Sequence, residues 1–185
     1  MVNPDLAQKY ANDKHQDTLK KDGITTHMVH LESVVSRLKG LGIVDEDILC
    51  AGWLHDTMEK TDTTFDELYE RFGQNVSTIV MSLSKDKKLP KKEKESQYTQ
   101  QLKHASFDAK MIKLCDISAN LREIVNSDLS KTKKRKLVNQ LLHYLRIIKN
   151  DLSKNQIKYP GIRSLVNGIN QIVILYRQKP IVLDT

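Results

Sequence analysis

The sequence has few of the residues that build turns and few of those that fill β-sheet cores. Among 185 residues there are only 7 glycines and 4 prolines, and aromatic side chains make up 5%. A β-sandwich or β-barrel needs many tight turns, and its strands are enriched in aromatic and β-branched side chains. The composition therefore argues against a many-stranded β fold and favours a helical protein.

Cysteines and long apolar runs are scarce as well. The two cysteines, Cys50 and Cys115, fall on apolar faces of predicted helices, which indicates buried free thiols in a reducing compartment. The longest apolar run near the C-terminus, residues 172–176, is far shorter than the roughly 20 residues of a membrane span. No basic segment followed by an apolar stretch opens the sequence, so we expect no secretory signal. Together these absences predict a cytoplasmic protein without a membrane partner.

Basic residues outnumber acidic ones and are concentrated in two segments. The 30 lysines and arginines against 23 acidic residues give a net charge of +7. Lysines dominate residues 85–94, and residues 131–136 read Lys-Thr-Lys-Lys-Arg-Lys. Such charge favours polyanionic partners, although solvated loops or helix ends are the more common explanation of each run. Nucleic acid is the less favoured partner, because no aromatic residues for base stacking are interleaved with the lysines.

Apolar residues recur at helical spacing along most of the chain, and capping residues indicate where helices begin. The caps are Asn3 before Pro4, Asp45, Thr64 with Glu67, and Ser106. We expect helices over about residues 4–19, 28–40, 46–54, 64–71, 75–83, from 90 onward, 107–121, 131–149 and 160–176. The pattern predicts an all-α bundle of eight or nine helices that forms a single domain over residues 1–185.

Four polar residues interrupt otherwise apolar helical segments: His30, the adjacent pair His55 and Asp56, and the distant Asp116. A buried carboxylate without a partner costs several kcal/mol, and a divalent cation would remove that cost. Imidazole nitrogen with carboxylate oxygen suits Mn, Fe, Zn or Mg, and Mn²⁺ is the natural compromise between the two donor types. The sequence therefore predicts a site for one divalent cation.

The identity of the first ligand has an alternative in His27. We prefer His30, because Val34 and Leu38 follow it at helical spacing and place it on the core face.

Two further polar residues share a face with the predicted ligands. Glu59 lies four residues after His55, one helical turn on, where a carboxylate can orient or deprotonate a water beside the cation. Asn120 lies four residues after Asp116 and therefore points into the same cleft.

With its surroundings, this set of residues resembles the HD-domain metal-dependent phosphohydrolases. The likeness is greatest to the hydrolase domains of RelA/SpoT-type proteins and to the stand-alone small alarmone hydrolases. It is carried by Leu54-His-Asp-Thr-Met-Glu-Lys-Thr-Asp-Thr-Thr64, by residues 84–90 and by Lys110-Met-Ile-Lys-Leu-Cys-Asp-Ile-Ser-Ala-Asn-Leu-Arg122. It covers about residues 5–125 and leaves residues 126–176 as C-terminal packing helices.

The resemblance implies both a ligand set and a reaction. By position, it implies Mn²⁺ ligation by His30, His55, Asp56 and Asp116, activation of water by Glu59, and substrate contacts by Lys20, Lys21, Lys91 and Asn120. The family reaction is hydrolysis of the 3′-diphosphate of guanosine tetra- or pentaphosphate with release of pyrophosphate. The expected substrate is thus a phosphorylated nucleotide. The oligomeric state is left open, with a homodimer as one option.

The sequence also departs from the family pattern. Lys60 stands where these hydrolases usually carry an aspartate, so it joins Glu59 as a candidate catalytic residue. A salt bridge to Asp56, four residues earlier, is one interpretation; a grip on a different phosphate, or slower turnover, is another. The Pro-Tyr and His-Pro pairs that commonly surround the first ligand are absent around His30, so base specificity is open, and Tyr144 is only a candidate aromatic contact for the nucleotide.

Three functions follow from these observations. The first is a guanosine-3′,5′-bis(diphosphate) 3′-pyrophosphohydrolase. The second is a phosphohydrolase of the same type that acts on another nucleotide, as an NADPH 2′-phosphatase or a nucleotidase. The third is a nucleotide sensor in which Lys60 has weakened catalysis while binding persists.

Overall fold

The computed structural model describes residues 2–16 and 27–184, and these residues form nine helices without a strand. The helices are α1 (Pro4–His15), α2 (His27–Gly40), α3 (Glu46–Leu54), α4 (Thr57–Lys60), α5 (Phe65–Leu83), α6 (Lys91–His104), α7 (Phe107–Asn126), α8 (Lys131–Asn155) and α9 (Gly161–Leu175). The predicted all-α fold is confirmed.

The predicted capping residues start their helices by accepting a hydrogen bond from a backbone N–H in the first turn. The side chain of Asn3 accepts from the N–H of Asp5 at 2.7 Å. Asp45 accepts from Ile48, Thr64 from Glu67 and Ser106 from Ala109, each at 3.2 Å. These bonds satisfy N–H groups that have no partner within the helix, which is why short polar residues mark these boundaries.

The helix boundaries match the expected ones in part and differ in part. The two short helices expected over residues 64–83 are both present. They meet at a kink at Gly73, where φ is 80° and ψ is 175°, and share the label α5. Helix α8 continues past Lys149 to Asn155, and the single turn of α4 was not expected. Helix α1 is described over Pro4–His15, and the remainder of the helix expected to reach Leu19 lies almost wholly in residues 17–26, outside the described part of the chain.

Helix α7 is the central element of the bundle, and it packs against α2, α3, α5, α8 and α9. Its middle is buried on nearly every face, since Met111, Ile112, Leu114, Ile117 and Leu121 are all at most 1% exposed. Polar groups on α7 are therefore held in fixed positions by the packing around them.

The two cysteines and the C-terminal tail are also packed into the bundle. Cys50 and Cys115 are buried free thiols, as expected. The tail beyond α9 is anchored by Asn170, a residue of α9. Its side chain donates to the carbonyl of Ile181 and accepts from the N–H of Ile181, both at 2.8 Å.

Among the described residues, no helix is long and apolar enough to cross a membrane.

Candidate metal centre

The four sequence-predicted ligands lie close together, brought there by α2, by the turn between α3 and α4, and by α7. His30 lies on α2, and Asp116 lies on α7. His55 directly follows the last residue of α3, and Asp56 directly precedes α4. His30 Nε2 is 3.2 Å from Asp116 Oδ1 and 3.9 Å from Asp56 Oδ2. His55 Nε2 is 3.7 Å from Asp56 Oδ1 and 3.8 Å from Asp116 Oδ1. Each imidazole Nε2 thus lies within 4 Å of an oxygen of both aspartates.

The turn between α3 and α4 carries His55 and Asp56 to this point. Helix α3 is almost wholly buried up to its last residue, Leu54. The histidine that directly follows therefore lies in the core. The hydroxyl of Thr57 donates to the carbonyl of Leu54 at 2.7 Å and closes the turn. As a result, two consecutive residues both reach the cluster.

Each imidazole is oriented by a hydrogen bond on the far side of its ring. His30 Nδ1 donates to Glu123 Oε1 at 2.7 Å, and His55 Nδ1 donates to the carbonyl of Gly52 at 2.8 Å. Because carboxylate and carbonyl oxygens only accept, the proton of each neutral ring lies on Nδ1 and the lone pair lies on Nε2. Both lone pairs therefore point at the aspartates, which is the orientation that metal-binding histidines adopt.

The two aspartates are held as carboxylates by neighbouring lysines and imidazoles. Burial by itself would raise the pKa of Asp56, but His55, Lys60 and His27 outweigh it and hold the pKa of this carboxyl well below its usual range. For Asp116 the opposing groups are Lys113, His30 and His55, with the same result for its pKa. Lys60 Nζ lies 2.5 Å from Asp56 Oδ2, and Lys113 Nζ lies 2.9 Å from Asp116 Oδ2.

The donor set fits a divalent cation. His30, His55 and Asp56 each offer a ligand atom within 4.8 Å of the others. His55 Nε2 is buried and has no hydrogen-bond partner among the described residues. An imidazole lone pair that faces carboxylate oxygens is repelled by them unless a cation lies between, and mixed nitrogen and oxygen donors suit Mn, Fe and Zn. The described residues thus form a possible metal site.

His27, the alternative first ligand, lies beside this cluster. Its Nε2 is 2.9 Å from Asp56 Oδ2, and its ring lies 5.5 Å from that of His30. Behind it, the ring of His15 stacks at 4.4 Å. Burial, the neighbouring His27 and other nearby cations lower the pKa of His15 to about 4, so this ring is neutral at physiological pH. His27 therefore contacts one of the aspartates, whereas His30 faces both.

A cavity of about 690 Å³ opens onto the cluster. Its polar lining includes five cationic side chains: Arg37, Lys60, Lys85, Lys113 and Arg122. Its apolar lining includes Leu129 and, on α8, Leu137 and Leu141. The volume accommodates a nucleotide-sized ligand, and the mixed lining provides cations for phosphates and apolar surface for a base.

One wall of the cavity is a hydrogen-bonded network around Tyr144. Lys85 Nζ donates to the Tyr144 hydroxyl and to Glu95, both at 2.7 Å. The Tyr144 hydroxyl in turn donates to Glu95. Lys113 Nζ lies 5.0 Å from the centre of the Tyr144 ring and 5.2 Å from that of Tyr98, so the two rings hold this lysine in place.

The remaining sequence-predicted site residues fall into three groups. Glu59 and Asn120 line the cavity. Glu59 Oε2 accepts a hydrogen bond from the backbone N–H of Lys85 at 3.3 Å. The Asn120 amide donates a hydrogen bond to Asp116 Oδ1 at 2.5 Å. Lys91 is exposed at the start of α6 and is not part of the cavity lining, so the structure does not bring it to the site. Lys20 and Lys21 lie outside the described residues.

Several residues of the site were not expected from the sequence. Lys113 and Glu123 lie three residues before and seven residues after Asp116, so helical spacing alone could have identified both. Lys85 was noticed only as part of a lysine-rich run. Its contact with Tyr144, 59 residues away, has no local signal in the sequence.

Comparison with known proteins gives a family and several relatives. A family model described as "HD domain" matches residues 7–145. A protein of Danio rerio named guanosine-3′,5′-bis(diphosphate) 3′-pyrophosphohydrolase MESH1 is 41% identical over 119 residues, which are 64% of this chain and 64% of that protein. An Aquifex aeolicus protein named guanosine-3′,5′-bis(diphosphate) 3′-pyrophosphohydrolase is 30% identical over 163 residues, which are 83% of this chain and 23% of that protein.

A solved structure shares the fold. It is described as a metazoan orthologue of SpoT that hydrolyses ppGpp, and it superposes with a TM-score of 0.79 at 24% sequence identity, over 95% of this chain and 96% of that one. The family model covers the helices that supply all four predicted ligands. The chain therefore belongs to the HD-domain family.

Proposed function

We propose that this chain is a metal-dependent phosphohydrolase that removes the 3′-diphosphate from guanosine-3′,5′-bis(diphosphate). One observation carries the proposal. The Nε2 atoms of two imidazoles each face oxygens of both Asp56 and Asp116 at the wall of a cavity that is lined with lysine and arginine. The cluster suits a divalent cation, and the cations of the lining suit a substrate with several phosphates.

The ligands that we propose are His30, His55, Asp56 and Asp116, and Mn²⁺ is the ion that we expect. Mn²⁺ accepts both nitrogen and oxygen donors, whereas Mg²⁺ prefers oxygen alone. When bound, such an ion supplies a Lewis acid that lowers the pKa of a water and withdraws charge from a phosphate. Asp56 and Asp116 supply two negative charges that favour its binding.

The side chains around the cluster have distinct proposed roles in the reaction. Glu59 lines the cavity one turn after His55 and accepts the proton of the attacking water. The water oxygen bonds to phosphorus, and the bond from that phosphorus to the 3′-oxygen breaks. The departing 3′-oxygen takes a proton from solvent and becomes a hydroxyl, and Glu59 returns its proton to solvent. Lys113 and Lys85 reduce the negative charge that builds up on the phosphate oxygens. The products are pyrophosphate and the nucleoside 5′-diphosphate.

The choice of substrate is supported by the relatives. The 41% identical protein of Danio rerio carries this activity in its name, and the alignment covers 64% of its length, so its substrate is proposed here for this chain. The expected packing role of residues 126–176 is also part of the proposal. Because α8 lines the cavity and both α8 and α9 pack on α7, we propose that residues 1–185 form a single domain of this type.

The direct test is the release of pyrophosphate from guanosine-3′,5′-bis(diphosphate) by the purified chain with Mn²⁺. We expect turnover by the unaltered chain and a loss of at least about a hundredfold in Asp56→Asn, because this change removes a ligand charge while keeping the shape of the side chain. Asp62→Asn is the matched control, since Asp62 is 86% exposed and pairs with Lys14 outside the cavity.

Three outcomes would contradict the proposal. The first is equal activity in Asp56→Asn and Asp62→Asn. The second is full activity in the presence of a metal chelator. The third is release of a single phosphate from NADPH or a mononucleotide that is faster than release of pyrophosphate from guanosine-3′,5′-bis(diphosphate). The last outcome would instead identify a phosphatase of the same family with another substrate.

A second candidate function, a nucleotide sensor with little turnover, is favoured by the contact between Lys60 and Asp56. An ammonium group on a ligand carboxylate weakens the charge that holds the ion. If the chain binds guanosine-3′,5′-bis(diphosphate) without forming products, and Lys60→Asp turns over rapidly, the sensor is the correct interpretation.

A further inference from the structure

Each of the two aspartates contacts a lysine as well as the imidazoles, and Oδ2 of Asp56 lies near both Lys60 and, at 2.9 Å, His27 Nε2. Asp116 directs Oδ1 toward His30 at 3.2 Å and Oδ2 toward Lys113 at 2.9 Å. Asp56 directs Oδ1 toward His55 at 3.7 Å, and its Oδ2 is 2.5 Å from Lys60. Both carboxylates are thus neutralised in part by an internal ammonium group, and an incoming cation experiences less attraction from them.

The two lysines differ in their freedom to move. Lys113 is 12% exposed and is held between the rings of Tyr98 and Tyr144. Lys60 is 37% exposed and is the last residue of the single-turn helix α4. A lysine at the end of such a helix can swing its flexible four-carbon chain into the cavity that it lines, whereas Lys113 cannot leave its position without disrupting two aromatic contacts.

We propose that Lys60 is a mobile counter-ion that couples metal binding to phosphate binding. This inference rests on the metal-dependent function proposed above. Without a phosphorylated ligand, Lys60 pairs with Asp56 and weakens the hold of the site on a divalent cation. A phosphate group in the cavity offers Lys60 a stronger partner, and the side chain moves from Asp56 to the phosphate. Asp56, whose Oδ2 then keeps only its contact with His27, presents more of its charge to the cation.

The coupling works in both directions, because the effect of one ligand on the affinity for another is reciprocal. Phosphate strengthens metal binding by removing Lys60 from Asp56, and metal strengthens phosphate binding by releasing Lys60 from Asp56. Neither ligand needs to move the backbone. The only movement required is that of one lysine side chain, over the reach of its own aliphatic stem.

The experiment measures Mn²⁺ affinity from the electron paramagnetic resonance signal of the free ion. The unaltered chain and Lys60→Met are titrated with and without inorganic phosphate, and titrations without protein correct for the manganese phosphate complex. Lys14→Met is the matched control, since it also removes a lysine from a contact with an aspartate, Asp62, at 2.9 Å but outside the cavity. Circular dichroism verifies that all variants are folded.

We expect Lys60→Met to bind Mn²⁺ roughly tenfold more tightly than the unaltered chain when phosphate is absent. Phosphate should tighten Mn²⁺ binding several-fold in the unaltered chain and in Lys14→Met, and clearly less in Lys60→Met. Equal affinities in the unaltered chain and Lys60→Met, or an equal effect of phosphate on all variants, would overturn the coupling and leave the proposed function standing. If no variant binds Mn²⁺, the coupling and the proposed function both fail.

Discussion

Glu123 Oε1 lies 2.7 Å from His30 Nδ1, although the two residues are on different helices, α7 and α2. The contact fixes the plane of the imidazole and directs its Nε2 at Asp116. A carboxylate behind a ligating histidine also makes the ring a stronger donor toward a metal. Glu123 therefore acts on the candidate metal centre through His30 and is a positioning residue.

We expect Glu123→Gln to lower Mn²⁺ affinity roughly tenfold, because an amide oxygen still accepts the hydrogen bond but no longer polarises the ring as a carboxylate does. Glu32→Gln is the control, since Glu32 is exposed on the same helix as His30. The measurement is the dissociation constant for Mn²⁺ from calorimetric titration. Unchanged affinity in Glu123→Gln would show that the contact is structural only.

The pair formed by Lys113 and Asp116 predicts a rescue of stability. Asp116→Asn leaves the ammonium group of Lys113, which is 12% exposed, without its charged partner. We expect this to lower the free energy of unfolding by about 3 kcal/mol. Adding Lys113→Met removes the unpaired ammonium group and should recover most of the lost free energy of unfolding. Urea unfolding with a metal chelator present measures this, and a double variant no more stable than Asp116→Asn would contradict the argument.

Replacement of two glycines by alanine should change the free energy of unfolding in opposite directions. Gly73 has φ of 80° at the kink of α5, a conformation that an alanine adopts only with strain. We expect Gly73→Ala to lower the free energy of unfolding by about 2 kcal/mol. Gly168 is inside α9, and a Cβ there would meet nothing within 4 Å. Gly168→Ala should therefore stabilise by about 0.5–1 kcal/mol. Thermal unfolding distinguishes these outcomes. If the melting temperature shifts in the same direction in both variants, the argument that Gly73 has a conformation unfavourable for alanine is wrong.

The two thiols should be inert in the folded protein. Burial, together with the neighbouring Asp47 and Glu46, raises the pKa of the Cys50 thiol to about 12, and burial also raises the pKa of Cys115. At pH 8 the reactive thiolate form of each is therefore scarce. We expect no reaction of the native protein with Ellman's reagent on the timescale of minutes and reaction of both thiols in guanidinium chloride. Rapid native labelling would show that one of the thiols is accessible.

Local patterns determined most of the helices. The caps at Asn3, Asp45, Thr64 and Ser106 were recognisable because a capping side chain bonds to an N–H two or three residues away, and this interaction is contained in the sequence. The end of α8 was missed because no local signal stops the helix at Lys149. The kink at Gly73 was anticipated only as a break between two helices.

The residue types that could form a metal site are recognisable without any structure: His30, His55, Asp56 and Asp116 interrupt apolar segments, where a polar side chain needs a strong partner. Which other groups reach them depends on the packing of the helices. It placed Lys85 rather than Lys91 on the cavity wall, and it brought Glu123 to His30 and Tyr144 to Lys85. These contacts join residues 59 or more positions apart, and they depend on how the helices pack, which no spacing along the chain encodes.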